Sequence, residues 1–153
     1  MASSCNVIVQ SQKKGVEDCS KAAAAAIKPG HIIELTSAGT YQVHSSAASN
    51  AACCIAEEQG ELNKGTTDAY AQYDYVKAYY MLPGEQAYFR VAAGATAITK
   101  GFFLESAGDG TVRKLGTDAA TDQDQRAAIV CRADETVDNS GGASEVFILA
   151  TAV

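Results

Sequence analysis

Gly30-His-Ile-Ile-Glu-Leu-Thr-Ser-Ala-Gly-Thr40 recurs later in the chain as Gly101-Phe-Phe-Leu-Glu-Ser-Ala-Gly-Asp-Gly-Thr111. The first glycine, the glutamate, the last glycine and the threonine are each separated from their counterparts by 71 residues. Each stretch contains an apolar run, a short turn with glycine and the start of a second run, which is the pattern of a β-hairpin. The sequence therefore predicts the same hairpin twice.

The similarity continues on both sides of the hairpin. The matched segments are 26–30 with 97–101 upstream and 51–58 with 128–135 downstream. In the downstream match the interval has grown to 77 residues, and the added length lies in the polar loop 116–125. We therefore expect two pseudo-repeated units, about 26–58 and 97–135, within a single β domain that covers residues 25–153.

Further strand patterns lie outside the hairpins, at residues 6–10, 75–82, 85–92 and 145–153. Alternation places Ala87, Phe89 and Val91 on one face, and Pro83-Gly84 suggests that 85–92 pairs with 75–82. Together these patterns predict an all-β fold, a small antiparallel β-barrel or β-sandwich of about eight to ten short strands. The sequence leaves open whether the two units form one barrel or two.

Residues 1–24 are interpreted as an N-terminal arm or a first strand, followed by a possible short helix. The extended pattern is Asn6-Val-Ile-Val-Gln10, which suits an edge strand. Residues 16–26 contain strong helix formers with acids early, and Pro29-Gly30 would end a helix there. We expect at most one or two short helices in the whole chain.

Charge and composition exclude some classes of function. The 153 residues carry a formal charge of −6 with a pI near 4.8, which argues against a surface that follows nucleic-acid phosphates. No apolar run approaches the length that crosses a bilayer, and the first residues do not resemble a signal peptide. We expect a protein that is made in the cytoplasm and binds neither nucleic acid nor membrane.

The histidines are the first candidates for catalysis. His31 and His44 flank the first hairpin, and their counterparts in the second are Phe102 and Leu115. A position that accepts Phe or Leu in the sister unit is typical of packing, so we interpret both histidines as structural.

Other candidate groups are also interpreted as structural. Glu34 and Glu105 could form a catalytic carboxylate pair, but the alternative is that each one holds its own hairpin. Cys53-Cys54 lacks metal-ligand spacing and is interpreted as two buried thiols rather than a redox pair. The aspartates of the polar loop lack a calcium-binding pattern, and nucleotide-binding and nucleophile motifs are absent. We predict no enzyme, no cofactor and no metal.

Tyrosines crowd one short region, at Tyr70, Tyr73, Tyr75, Tyr79 and Tyr80. Tyrosine supplies contact area at protein interfaces, but aromatic pairs are also common between neighbouring strands. Both interpretations stay open. As candidate partner-binding residues we select Tyr73, Tyr75 and Tyr79.

The order of these motifs resembles a family of small head proteins of tailed bacteriophages, the capsid decoration or cement proteins. The resemblance covers roughly residues 25–153 and rests on the repeat together with residues 63–70, 74–76, 97–106 and 137–142. Residues 1–24 are longer than in the shorter members of that family.

The resemblance implies a structural virion protein without enzymatic activity. It would bind the outer surface of the capsid as a homotrimer, or alternatively a dimer, and clamp neighbouring major capsid proteins against the pressure of packaged DNA. An N-terminal arm adding a strand to a capsid edge is the expected contact. Its candidate residues are Ser4, Asn6, Val7, Ile8, Val9 and Gln10. The alternative is a fibre or adhesin-type β domain that binds a surface partner.

Overall fold

The structure is a computed structural model that describes residues 7–8, 14–116 and 126–153. It confirms the all-β fold class. The strands of the described residues are β1 (Val16–Asp18), β2 (Ile33–Leu35), β3 (Tyr41–Val43), β4 (Cys54–Ala56), β5 (Ala78–Tyr80), β6 (Gln86–Val91), β7 (Phe103–Ser106), β8 (Val112–Lys114), β9 (Ile129–Ala133) and β10 (Val146–Ala152). The helical residues among them are a 3-10 turn at Gly60–Leu62 and residues 126–128.

The second half of the chain forms a closed barrel, barrel 2, in the order β10-β6-β8-β7-β9. Its neighbouring strands are antiparallel except β6 and β8, which meet in parallel at Val91 and Val112. The hairpin of the second repeat, β7-β8, is therefore one part of a closed circuit.

The first half follows the same circuit less regularly and is called barrel 1. Strands β1, β5 and β4 form one sheet, and β2 and β3 form the first hairpin. A bridge between Ile32 and Ile55 joins β4 to β2, and a parallel bridge between Ala23 and Tyr41 closes the circuit. Each repeated segment thus contributes three strands to its own circuit, and the remaining two strands, β1 and β5 in barrel 1 and β6 and β10 in barrel 2, come from outside the repeat.

Equivalent hydrogen bonds recur in the two barrels at the intervals predicted from the sequence. The turn bond from Thr36 N–H to Thr40 O (2.8 Å) matches the bond from Ala107 N–H to Thr111 O (2.9 Å). The repeated glycines also match, because Gly30 and Gly101 have φ of +90° and +91°, which favours glycine. The pseudo-repeat is therefore a repeat of backbone geometry.

Barrel 1 packs directly against barrel 2. Strand β4 lies between the two cores, so both faces of this strand are buried. Cys54 and Ala56 point into the core of barrel 1, whereas Ile55 points the other way. Ile55 and Tyr79 join the core cluster that contains Phe89 and Leu104 of barrel 2. Alternation along a strand thus serves two cores, one on each side.

Two local predictions are wrong. Residues 16–26 form strand β1 and bridges instead of a helix, because the backbone of Ala23 bonds across to Asp74 and Tyr73 of the neighbouring segment. Strands β5 and β6 do not pair across Pro83-Gly84, since each one is used by a different barrel. In both cases tertiary pairing overrides a local pattern.

Candidate functional site

Barrel 1 and barrel 2 meet through two different surfaces. The inner edge is the segment 30–32 of barrel 1, and the inner face is the part of barrel 2 formed by Ser106, Gly110, Glu145 and Phe147. Backbone bonds run from Arg90 N–H to Gly30 O (3.0 Å) and from Ile32 N–H to Gly110 O (2.8 Å). The two barrels are therefore joined through their backbones as well as through apolar packing.

Glycine is required on both sides of this contact. A Cβ on Gly30 would lie 2.6 Å from Phe147 Cε1, and a Cβ on Gly110 would lie 2.9 Å from Val43 Cβ. Both glycines also have positive φ. The close approach of the barrels thus depends on positions that the sequence identified only as turn residues.

A charged group lines the rim of the contact. Glu145 accepts bonds from Lys28 Nζ and Arg90 Nη1, both at 3.0 Å, and lies 3.6 Å from His31 Nε2. Burial lowers the pKa of His31, although Glu145 acts in the opposite direction. Burial alone would raise the pKa of Glu145, but the bond from Lys28 and the nearby charges hold it below its usual value. The rim thus combines a carboxylate held ionised with a histidine favoured in its neutral form.

His44 links the barrels in an arrangement that resembles a catalytic triad. Its Nδ1 lies 2.8 Å from Ser106 Oγ, and its Nε2 lies 3.7 Å from Glu34 Oε2. Ser106, however, has no exposed surface, and its hydroxyl also accepts the Gly108 N–H. Because a nucleophile needs access to its substrate, this group is interpreted as a structural link between the barrels.

The two glutamates of the repeat serve their own hairpins. Glu34 accepts a bond from the Gln42 amide (2.7 Å), and the buried Glu105 accepts one from Arg113 Nε (2.8 Å). Gln42 and Arg113 occupy equivalent cross-strand positions. Each carboxylate thus has a structural role in its own barrel.

Cys54 is buried and Cys53 is half-buried, and burial raises the pKa of each thiol to about 12. A thiol with such a pKa is a poor nucleophile at neutral pH. The described residues contain no group of three or more His, Cys, Asp or Glu side chains that could hold a metal ion. No helix within those residues has the length and apolar character needed to cross a bilayer.

Barrel 2 has a segment equivalent to the inner edge, and barrel 1 has a surface equivalent to the inner face. Both of these equivalents are exposed. The outer edge is the segment 101–103 of barrel 2, where Phe102 and Phe103 are 40% and 43% exposed. The outer face is formed on barrel 1 by Leu35, Gly39, Tyr73 and Tyr75. Tyr73 and Tyr75 are 75% and 63% exposed, and large aromatic groups left in solvent are characteristic of binding surfaces.

The register of the strands shows which residues correspond. Tyr75 bridges Ala22 in barrel 1, as Phe147 pairs with Arg90 in barrel 2. Counting back two residues from each of these aromatic residues aligns Tyr73 with Glu145, although Tyr73 lies in a turn that the bond from Asp74 N–H to Ala71 O (3.1 Å) closes. Tyr73 also has φ of +72°, a conformation that bulky residues rarely adopt. The turn around residues 72–73 accounts for this backbone conformation.

The predicted partner-binding residues have different locations. Tyr73 and Tyr75 are exposed, but Tyr79 is buried, and its hydroxyl donates to Glu85 Oε1 at 2.5 Å. The prediction that Val7 and Ile8 are presented to a partner is also corrected, because both lie in the core and Tyr88 N–H bonds to Val7 O. The remaining candidates lie outside the described residues: Ser4, Asn6, Val9 and Gln10.

Sequence reasoning missed Phe102, Phe103 and Leu35. The repeat contains one relevant signal, which is that Phe102 stands where the first unit has His31. That exchange indicates a packing position in both units, but it does not show that Phe102 is exposed. A comparison with protein-family models finds no match, and a comparison with curated proteins finds none either.

Proposed function

We propose that this protein decorates the outer surface of a tailed-bacteriophage capsid and clamps neighbouring major capsid proteins. The resemblance of its motifs to the decoration proteins suggested this function. The structural observation that supports it most is a contrast between two kinds of side chain. Large aromatic groups are exposed on the outer edge and the outer face, whereas the buried side chains of His44, Arg90 and Glu105 are used in internal bonds.

This contrast suits a binding protein better than an enzyme. Catalysis needs a polar group that is both activated and accessible, but the triad-like Ser106 has no exposed surface and the thiols of Cys53 and Cys54 have raised pKa values. Backbone bonds join the two barrels into one unit. An acidic unit with aromatic surfaces can bind a protein lattice without attracting DNA.

Capsid stabilisation follows from binding by mass action. A protein that binds the assembled shell and not its separated subunits adds its binding free energy to the assembled state. Many copies on one shell act together, so each contact can be modest. We place the capsid contact ahead of Val7, at Ser4 and Asn6, since Val7 and Ile8 belong to the core.

The test uses heads of a phage that encodes this chain, prepared from a strain lacking its gene. The purified protein is mixed with these heads, and sedimentation measures the bound fraction. We expect the protein to pellet with the heads and to raise the temperature at which they release DNA. Protein that remains in the supernatant at saturating concentration, with intact heads, would overturn the proposal.

A deletion of residues 1–6 locates the contact. It leaves Val7 and Ile8 in place, so we expect an unchanged thermal unfolding curve together with lost sedimentation. A matched control is Val7→Ser, which should destabilise the fold because it introduces a hydroxyl into the core. Sedimentation of the deletion variant equal to wild type would place the capsid contact elsewhere.

A further inference from the structure

The contact between the barrels joins unlike surfaces, an edge and a face. Because each barrel carries one of each, a single contact within the chain leaves the outer edge and the outer face uncovered. A contact between unlike surfaces can be repeated from copy to copy. We propose that the outer edge of one copy docks on the outer face of the next, so that the chains associate head to tail through a repeat of the barrel contact.

The first argument is a matched change at one pair of positions. At the inner contact His31 faces Glu145, with Nε2 and Oε1 3.6 Å apart. Their counterparts on the outer surfaces are Phe102 and Tyr73. Both members of the pair have therefore changed from polar to aromatic, although they lie in different barrels. If only the histidine had been replaced, the half-buried carboxylate would face a phenyl ring in place of a polar partner, which is unfavourable.

The second argument is the space over the repeated glycine, here called the ring seat. An aromatic ring fills this space in the inner contact, and the equivalent space at the outer edge is open. The Phe147 ring covers Gly30 so closely that a Cβ there would lie 2.6 Å from it. Gly101 has nearly the same φ, but among the described residues nothing beyond its own chain neighbours lies within 4 Å of the corresponding Cβ position. Tyr75, the counterpart of Phe147, is exposed and has the shape to fill that seat in a second copy.

The third argument concerns the chemistry of the two surfaces. The outer edge presents Phe102 and Phe103, and the outer face presents Tyr73, Tyr75 and Leu35, all of them exposed. Aromatic residues are enriched at interfaces, and a few buried ones contribute most of the binding free energy. A monomer would leave all of these groups in water, whereas head-to-tail contact buries them together.

This inference goes beyond the proposed capsid role and does not depend on it. It predicts a specific type of assembly, because unlike surfaces generate closed rings or open chains and not a symmetric dimer. The partner is a second copy of this chain, whatever larger surface the assembly binds.

Two double variants test the inference, with masses measured by light scattering after gel filtration. The edge variant carries Phe102→Asp and Phe103→Asp, and the face variant carries Tyr73→Asp and Tyr75→Asp. We expect wild type to exceed the 15.9 kDa of one chain and each variant to be monomeric. Mixed together, the two variants should form a dimer and nothing larger, because the pair retains one intact edge and one intact face that can meet.

Leu82→Asp serves as the control, since Leu82 is an exposed apolar residue that belongs to neither surface. It should leave the assembly unchanged. Circular dichroism checks that every variant is folded. If an aspartate variant is unfolded, Phe102→Ser and Tyr75→Ser replace it, and each should raise the dissociation constant at least about tenfold. Monomeric wild type, variants that assemble like wild type, or mixed variants that stay monomeric would each overturn the inference.

Discussion

Replacing Gly30 by alanine tests how closely barrel 1 and barrel 2 approach each other. The new Cβ would lie 2.6 Å from Phe147 Cε1 and 3.2 Å from both Arg90 Cγ and Tyr88 O. The ring can shift, but the Tyr88 carbonyl belongs to strand β6 and cannot move without disturbing the barrel. We therefore expect the barrels to be forced apart at the inner edge.

The expected loss has two parts. An alanine at φ of +90° costs about 1–2 kcal/mol of the free energy of unfolding. Overpacking at the contact adds about 1–3 kcal/mol. Gly30→Ala should therefore lose about 2–5 kcal/mol in all, measured by urea unfolding at a protein concentration low enough to prevent association.

Gly101→Ala is the matched control, because Gly101 has nearly the same φ without a neighbour at the Cβ position in the described structure. It carries the backbone cost, about 1–2 kcal/mol, but not the overpacking. The smaller entropy of the unfolded chain affects both variants equally and cancels in the comparison. Equal losses in the two variants would refute the packing of Phe147 on Gly30.

Three further outcomes are expected. Glu85→Gln should lose about 1–3 kcal/mol at pH 7, because the carboxylate accepts bonds from Lys14 N–H and the Tyr79 hydroxyl. Burial would raise the pKa of Glu85, but these bonds hold it below its ordinary 4.5, so chemical unfolding should show the difference from wild type shrinking below that pH. Burial lowers the pKa of His31 from 6.5, so thermal unfolding should show stability falling as the pH drops below 6.5, and less steeply in His31→Gln. In native protein, peptide mapping after iodoacetamide treatment should find the exposed Cys19 modified and the buried Cys131 protected; equal modification would contradict the burial of Cys131.

The local features of the fold were predictable from the sequence. Gly30, Gly101 and their partner glycines in the turns identified the hairpins, because positive φ is a property of a single residue and its neighbours. Alternation in strand β6 correctly placed Ala87, Phe89 and Val91 in the core. These signals act over a few residues, so they can be read without knowing the rest of the fold.

Which strands pair with each other was not predictable in the same way. Strands β5 and β6 are adjacent in sequence and separated by a turn, yet they belong to different barrels. The helix expected at residues 16–26 is replaced by strand pairing for a similar reason. Choices of this kind depend on which distant surfaces become available, and that information is not present in a local pattern.

The sequence by itself determined that one β unit is built twice, since matched glycines and alternation fix the same backbone in each copy. Only the tertiary structure decided that the two copies have different environments. Segment 30–32 is buried against barrel 2, while segment 101–103, with the same backbone, remains exposed. The physical reason is that the burial of a residue depends on what lies opposite it. Two similar units that meet through one edge and one face leave the other edge and the other face exposed.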